Sequence, residues 1–135
     1  MARLISFALT KDQIRNRTKT VTRRVRWLKL KPFTHLDGVE KAMGFKPGTT
    51  GNIRWLDSIY TLSVLREPLQ ALIDDPDYGR AEAIKEGFPH LDGAGFVKMF
   101  CDDLKSKPNA VLTRIEFCYP LTIAERNEWL KTKGM

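Results

Sequence analysis

Lys19-Thr20-Val21-Thr22-Arg23-Arg24 gathers an amine, two hydroxyls and two guanidiniums into six positions. A lysine serves as general base only where burial or neighbouring cations depress its pKa, and Arg17, Arg23 and Arg24 supply such cations. A threonine hydroxyl beside a depressed lysine is a nucleophile, which makes Lys19 and Thr22 a candidate pair. Strand geometry sets a condition, because residues three apart in a regular strand point to opposite faces. The pair meets only if Lys19 sits on the loop before the strand, or if a bulge re-aims one of the two. The plainer reading is that the cations contact phosphates and the threonines pair across a sheet.

Charge points the same way. Residues 1–31 hold ten of the 23 Lys and Arg against the single acid Asp12, a net +9. The other 104 residues hold 13 basic and 15 acidic groups, a net −2. Positive charge concentrated like this draws in polyanions, so nucleic acid or a nucleotide is the first partner to expect. Other chemistry lacks its motifs: there is no phosphate-cradling glycine loop, no Gly-x-Ser-x-Gly elbow and no Cys-x-x-Cys pair. Cys101 and Cys118 read as small buried hydrophobes, and His35 and His90 are too isolated for a zinc site. Neither metal nor cofactor is expected. The opening apolar run is too short for a signal peptide, and no stretch approaches the ~20 apolar residues of a membrane helix. These features imply a cytoplasmic protein without membrane contact.

The elements that must position these residues follow from periodicity. Leu4–Leu9 reads as a strand, and Lys11–Asn16 as a short helix capped by Thr10. Thr20–Thr22 is β-branched and reads as a strand. Trp27–Pro47 is irregular, with at most a short helix over Gly38–Gly44. A turn at Lys46–Gly48 precedes strands at Asn52–Trp55 and Ser58–Arg66. Asp77–Glu86 reads as a helix with Tyr78, Ala81 and Ile84 spaced three apart, ended by Gly87 and Pro89. A second helix runs from the Asp92 cap to about Lys105, presenting Val97, Phe100, Cys101 and Leu104; Gly93 and Gly95 weaken its first turn. Val111–Tyr119 alternates as a strand, and Ala124–Lys131 is a short terminal helix that Trp129 and Leu130 can dock. The sum is an α+β chain with an antiparallel sheet, in the form of a small barrel.

Ile5-Ser6-Phe7, a short helix and then Lys19–Arg24 resemble the opening of an ASCH domain, a branch of the PUA-like superfamily. Asp77–Arg80, Ile84–Pro89, Phe96–Phe100 and Thr113–Phe117 extend the resemblance, which covers roughly residues 3–119; within the family the chain resembles the small phage and prophage members. It implies a PUA-like mixed or antiparallel β-barrel with flanking helices, an ASCH domain over 1–120 and a helical extension over 121–135. It also implies a basic cleft that accepts RNA or a modified nucleoside. One ASCH branch removes an acetyl group from the exocyclic nitrogen of acetylated cytidine using a lysine, a threonine three positions later and a glutamate in the helical region. The matching positions are Lys19, Thr22 and Glu86. By this resemblance Lys19 activates Thr22, Thr22 attacks the acyl carbon, and Glu86 orients the lysine or the departing amine. Other branches are ribonuclease-like or plain RNA-binding modules. The family usually has glycine two residues before the lysine, where this chain has Arg17, a residue that strains at positive φ.

A ligand-contacting set surrounds these three: Arg17, Thr20, Arg23, Arg24 and Arg26, with Trp55 and Tyr78 as stacking surfaces for a base. Trp27 is a further platform beside Arg26. Each has a plainer alternative: the tryptophans and Tyr78 as core, and Glu86 as an ordinary helix-end acid. Arg23 and Arg24 are adjacent on a strand and point to opposite faces, so one lines the cleft at most, and the other is free to pair with an acid such as Glu116. The Trp27–Phe45 segment is long enough to cover the cleft.

Overall fold

A computed structural model describes residues 3–41 and 53–133. Five strands, β1 (Arg3–Ser6), β2 (Val21–Arg24), β3 (His35–Val39), β4 (Trp55–Pro68) and β5 (Val111–Cys118), form one curled, half-barrel sheet in the order β1-β3-β4-β5-β2. β1 and β3 run parallel and every other pairing is antiparallel. Five helices flank the sheet: α1 (Lys11–Arg15), α2 (Ala71–Asp74), α3 (Pro76–Lys85), α4 (Gly93–Leu104) and α5 (Ile123–Lys133). The α+β class with a small barrel-like sheet is thus as the periodicity implies. No helix among the described residues is long and apolar enough to cross a membrane.

Two apolar cores fill the fold. Ile5, Phe7, Ile14, Leu36, Leu56, Ile59, Ile115 and Phe117 pack inside the sheet's curl. Leu69, Leu72, Ala83, Phe96, Val97, Phe100 and Leu112 join α2, α3 and α4 to the far ends of β4 and β5.

The structure corrects several element assignments. The Gly38–Gly44 stretch contributes a strand end rather than a helix: Gly38 and Val39 belong to β3, which is slotted between β1 and β4. Gly38 belongs there because a Cβ would meet the Asp57 carbonyl at 3.0 Å and the Phe7 ring at 3.3 Å. β4 is one continuous strand whose alternation breaks at a bulge between Thr61 and Ser63. Thr10 occupies the cap position of α1, but its side chain makes no cap hydrogen bond. Asp92 does cap α4, accepting from Gly95 N at 2.7 Å. Thr122 and Glu125 bond each other's backbone amides and open α5 as a capping box. The turn at Lys46–Gly48, the rest of Gly38–Gly44 beyond Lys41, and Asn52 lie outside the described residues.

The inward face of α3 departs furthest from an apolar pattern. Gly79, Glu82 and Ala83 are buried, whereas Ala81 and Ile84 face solvent. Glu86, at the C-cap, is buried as well. Gly87 follows at φ 99°, with Gly87 N donating to Ile84 O and Phe88 N to Ala83 O, a Schellman ending that holds the helix terminus against the sheet. A helix whose buried face is carboxylate carries almost no apolar stripe.

Candidate functional site

A cleft of about 340 Å³ opens between the end of β1, β2 and α4. The end of β1 and the turn after it contribute Ser6 to Thr10, and α4 supplies an apolar wall of Phe96, Met99, Phe100 and Leu104. Opposite that wall lie Lys19, Thr22, Arg23, Arg24 and Glu86, so both arginines line the cleft rather than one at most.

Lys19 sits on the loop immediately before β2, with about 3% of its surface exposed. That loop is held from three sides. Tyr119 Oη donates to the Lys19 carbonyl at 2.5 Å, Thr20 N donates to Lys85 O at 2.8 Å, and Phe117 N donates to Thr20 O at 2.9 Å. The Lys19 ammonium donates to Glu86 Oε1 and to the Glu86 carbonyl, each at 2.8 Å. The latter is an end-of-helix carbonyl of α3, whose dipole favours a cation there. Burial nevertheless dominates: it pulls the Lys19 amine below its usual pKa, and Glu86 recovers only part of the shift.

Thr22 stands on β2 opposite Ile115 of β5. Its hydroxyl accepts from Arg24 Nε at 3.1 Å, an arrangement that leaves the hydroxyl proton uncommitted and places a cation beside any negative charge forming on the oxygen. The Arg24 guanidinium lies 5.0 Å from the centre of the Phe7 ring. Burial draws it down to about 10, with Glu86 opposing, so it stays cationic at neutral pH. No hydrogen bond joins Lys19 to Thr22, although both line the cleft.

Behind the cleft runs an ion-pair network that charge counting does not anticipate. Arg23 Nη1 donates to Glu86 Oε2 at 2.9 Å, while Nη2 donates to Glu67 Oε1 at 2.8 Å and Glu82 Oε1 at 2.6 Å. Arg114 clamps both Glu82 oxygens, at 2.5 and 3.1 Å. The β2–β5 register sets Arg23 directly opposite Arg114, a like-charge pair that Glu82 neutralises from α3. Burial disfavours the Arg23 charge, but Glu86, Glu67 and Glu82 outweigh it and raise its pKa. Tyr78 Oη donates to Glu67 Oε2 at 2.6 Å, and burial with this bond raises its pKa.

The expected site residues therefore separate. Lys19, Thr22, Glu86, Arg23 and Arg24 come together around the cleft. Tyr78 belongs to the network behind it, and Thr20 is engaged through its backbone. Trp55 packs edge-on against Trp129 of α5, centroids 6.0 Å apart, with the Lys133 ammonium 4.8 Å from its ring. Arg26 lies with Arg3, Trp27, Leu28 and Lys29 in a separate depression, where Arg3 covers the Trp27 ring at 3.9 Å. Arg17 turns away to Asp57, its Nε 2.8 Å from Oδ2, and to the Leu121 carbonyl at 2.7 Å. Its φ is 60°, the left-handed value at which its side chain strains. Glu116 pairs in register with Val21 and forms no salt bridge to Arg23 or Arg24. No described residue of the Trp27–Phe45 segment lines the cleft.

Sequence reasoning missed Glu67, Glu82 and Arg114, and the apolar wall of α4. One trace was available: Glu82 and Glu86 are four apart, hence on one face of α3. Among the described residues no cluster of His, Cys, Asp and Glu could hold a metal ion. No protein-family model matches this chain, and no curated protein or solved structure is significantly similar to it.

Proposed function

We propose that this chain is an ASCH-type, PUA-like protein whose cleft hydrolyses the amide of an N-acylated cytidine-type nucleoside. The observation that carries this reading is the convergence of Lys19 and Thr22 with Glu86, more than sixty positions downstream, on one cleft of nucleoside size. In this reading the base lies against Phe96, Met99 and Phe100. Thr22 Oγ1 attacks the acyl carbon, and its proton passes to the neutral fraction of Lys19 through one bridging water, since the two side chains do not bond directly. Glu86 stabilises the ammonium so formed, and Arg24 the charge on the attacking oxygen. Collapse of the tetrahedral adduct breaks the carbon–nitrogen bond, Lys19 returns the proton to the leaving exocyclic nitrogen, and water then hydrolyses the acyl-threonine ester.

One observation favours a second reading, a non-catalytic nucleoside or RNA pocket. Both acceptors of the Lys19 amine are supplied by Glu86, so the amine is held by protein rather than by Thr22. Incubation with N4-acetylcytidine, with release of cytidine followed by chromatography, separates the two. Turnover abolished by Thr22→Val, which keeps the side-chain shape, is the expected result. Binding of the nucleoside without turnover in the unaltered protein would sink the hydrolase and leave the pocket.

A further inference from the structure

Gln13 to Leu36 contains eight Lys and Arg and no acid. Folding consumes about half of that charge. Arg15 pairs with Asp12 and Glu40, Arg17 with Asp57, and Lys19 and Arg23 with the buried glutamates. Arg24 faces the cleft. Arg26, Lys29 and Lys31 are exposed and have no carboxylate partner among the described residues. The charge of this segment that no carboxylate offsets therefore lies chiefly on the loop between β2 and β3.

That loop ends on an exposed aromatic. Phe33 has φ 64° and is 69% exposed. Its conformation is fixed rather than loose: Phe33 N donates to Thr61 O at 2.7 Å and Thr34 N to Thr61 Oγ1 at 2.9 Å. The Thr61 and Thr34 hydroxyls both donate to the Lys31 carbonyl, at 3.0 and 2.7 Å. Glycine would adopt this φ without strain and keep the backbone bonds, so the strain is borne by a ring that gains little burial. The Phe33 ring lies 6.3 Å from that of Tyr60, which lies 4.7 Å from that of His35. Three rings thus form one aromatic surface where the β2–β3 loop meets β3 and β4, and that same loop carries the three cations without a carboxylate partner among the described residues.

We propose that Phe33, Tyr60 and His35 form a stacking surface for the unpaired bases of a single-stranded RNA, whose phosphates contact Arg26, Lys29 and Lys31. Aromatic faces beside unneutralised cations are what single strands require, because each base has a π-face to stack and each linkage a charge. A duplex, with its base faces already stacked, uses only the cations. None of these six residues lines the cleft, so this is a second contact surface. The choice of RNA rests on the ribonucleoside reading of the cleft; the surface itself does not.

The test uses the full chain and a fluorescent 12-nucleotide RNA of mixed sequence, read by anisotropy, with the same RNA as a duplex, a matching DNA strand and anionic phospholipid vesicles as comparators. The single strand is expected to bind more tightly than the duplex. Phe33→Ala should weaken it roughly 5- to 100-fold, and Phe33→Tyr should restore it. Lys31→Ala should lower the salt dependence by about 0.7 in log–log slope, the single-strand value for one phosphate contact. Equal affinity for duplex and single strand, or an unchanged affinity in Phe33→Ala, overturns the stacking surface. Tighter binding of the DNA strand overturns RNA, and binding of vesicles without oligonucleotide overturns a nucleic-acid partner altogether. Deacylation of the free nucleoside is a separate readout, so failure here and failure of the cleft reading are told apart.

Discussion

Lys19 and Glu86 are joined twice: the lysine amine lies 2.8 Å from Glu86 Oε1 and 2.8 Å from the Glu86 carbonyl oxygen. Both residues are about 3% exposed, so neither charge has water to fall back on. A pair of this kind adds little net stability over an apolar pair, yet removing one member strands the other.

Glu86→Gln tests that asymmetry. The carbonyl bond and the side-chain shape survive, but Lys19 and Arg23 both lose a carboxylate. The expected cost is about 3–5 kcal/mol in urea unfolding. Lys19→Met added to Glu86→Gln should recover part of it, because the buried ammonium is gone. Additive losses in that cycle would mean the two residues are not coupled.

Glu82 makes a different prediction, on acid stability. Burial pushes its carboxyl up, but hydrogen bonds from Arg114 and Arg23 more than offset this and bring it down to about 2 from an ordinary 4.5. The folded pKa is the lower one, so this stabilisation is complete above pH 4.5 and drains away as pH falls towards 2. At 1.36 kcal/mol per pKa unit it amounts to about 3 kcal/mol. Glu82→Gln should flatten the acid limb of the stability curve between those values. Lys19 acts at the other end: its folded pKa also lies below the unfolded 10.5, but for a lysine this means folding disfavours the charged form. Stability should therefore rise as pH climbs from the folded pKa to 10.5, and Lys19→Met should remove that rise.

The crossing of α3 on α4 supplies a third. A Cβ on Gly93 would meet Leu72 O at 2.2 Å and Gly79 Cα at 2.8 Å, and one on Gly79 would meet Leu72 O at 2.0 Å. Gly93, which weakens the first turn of α4 on propensity, is needed for the contact. Gly93→Ala gains about 1 kcal/mol in helix propensity. Separating backbone from backbone should more than cancel that gain, so the melting temperature falls. A rise in melting temperature would show that α2 and α3 give way freely.

These cases also explain what was legible in the sequence. α4 announces itself because Phe96, Val97 and Phe100 are apolar and inward, and Asp92 caps it. α3 is legible as a helix but not in its orientation, since Glu82 and Glu86 occupy positions that a hydrophobic pattern assigns to solvent. β3 was hidden for a related reason: Asp37 and Gly38 interrupt the run His35–Val39, and its pairing partners, β1 and β4, lie far away in sequence. The basic N-terminal segment reads as a surface field by counting, whereas Arg17, Lys19 and Arg23 are neutralised by acids from 40 to 67 positions downstream. Residue types at Lys19 and Thr22 could be read directly; that Glu86 holds the lysine and Arg24 the threonine depends on tertiary placement.

Arg17 and Asp57 carry the last prediction. Asp57 is fully buried, and Arg17 meets both its oxygens, at 2.8 and 3.2 Å, with Arg126 of α5 at 3.5 Å from one. Arg17 also donates to Leu121 O, and Arg126 to Arg15 O, each at 2.7 Å. The residue preceding the Lys19 loop is thus tied to the segment that leads into α5. Arg17→Gly relieves a strained φ worth roughly 1 kcal/mol. It also leaves a buried carboxylate with only the Ser58 amide at 2.9 Å and one long ion pair to Arg126, at a cost of several kcal/mol. The net expectation is a less stable protein whose α5 amides exchange faster with solvent deuterium, and whose chain is cut sooner near Leu121 by limited proteolysis. Arg17→Lys should not rescue it, because one ammonium cannot span both carboxylate oxygens and the Leu121 carbonyl. Unchanged exchange in α5 would assign its docking to Trp129 on Trp55 instead, where the edge-on rings and Lys133 would hold the helix without Asp57.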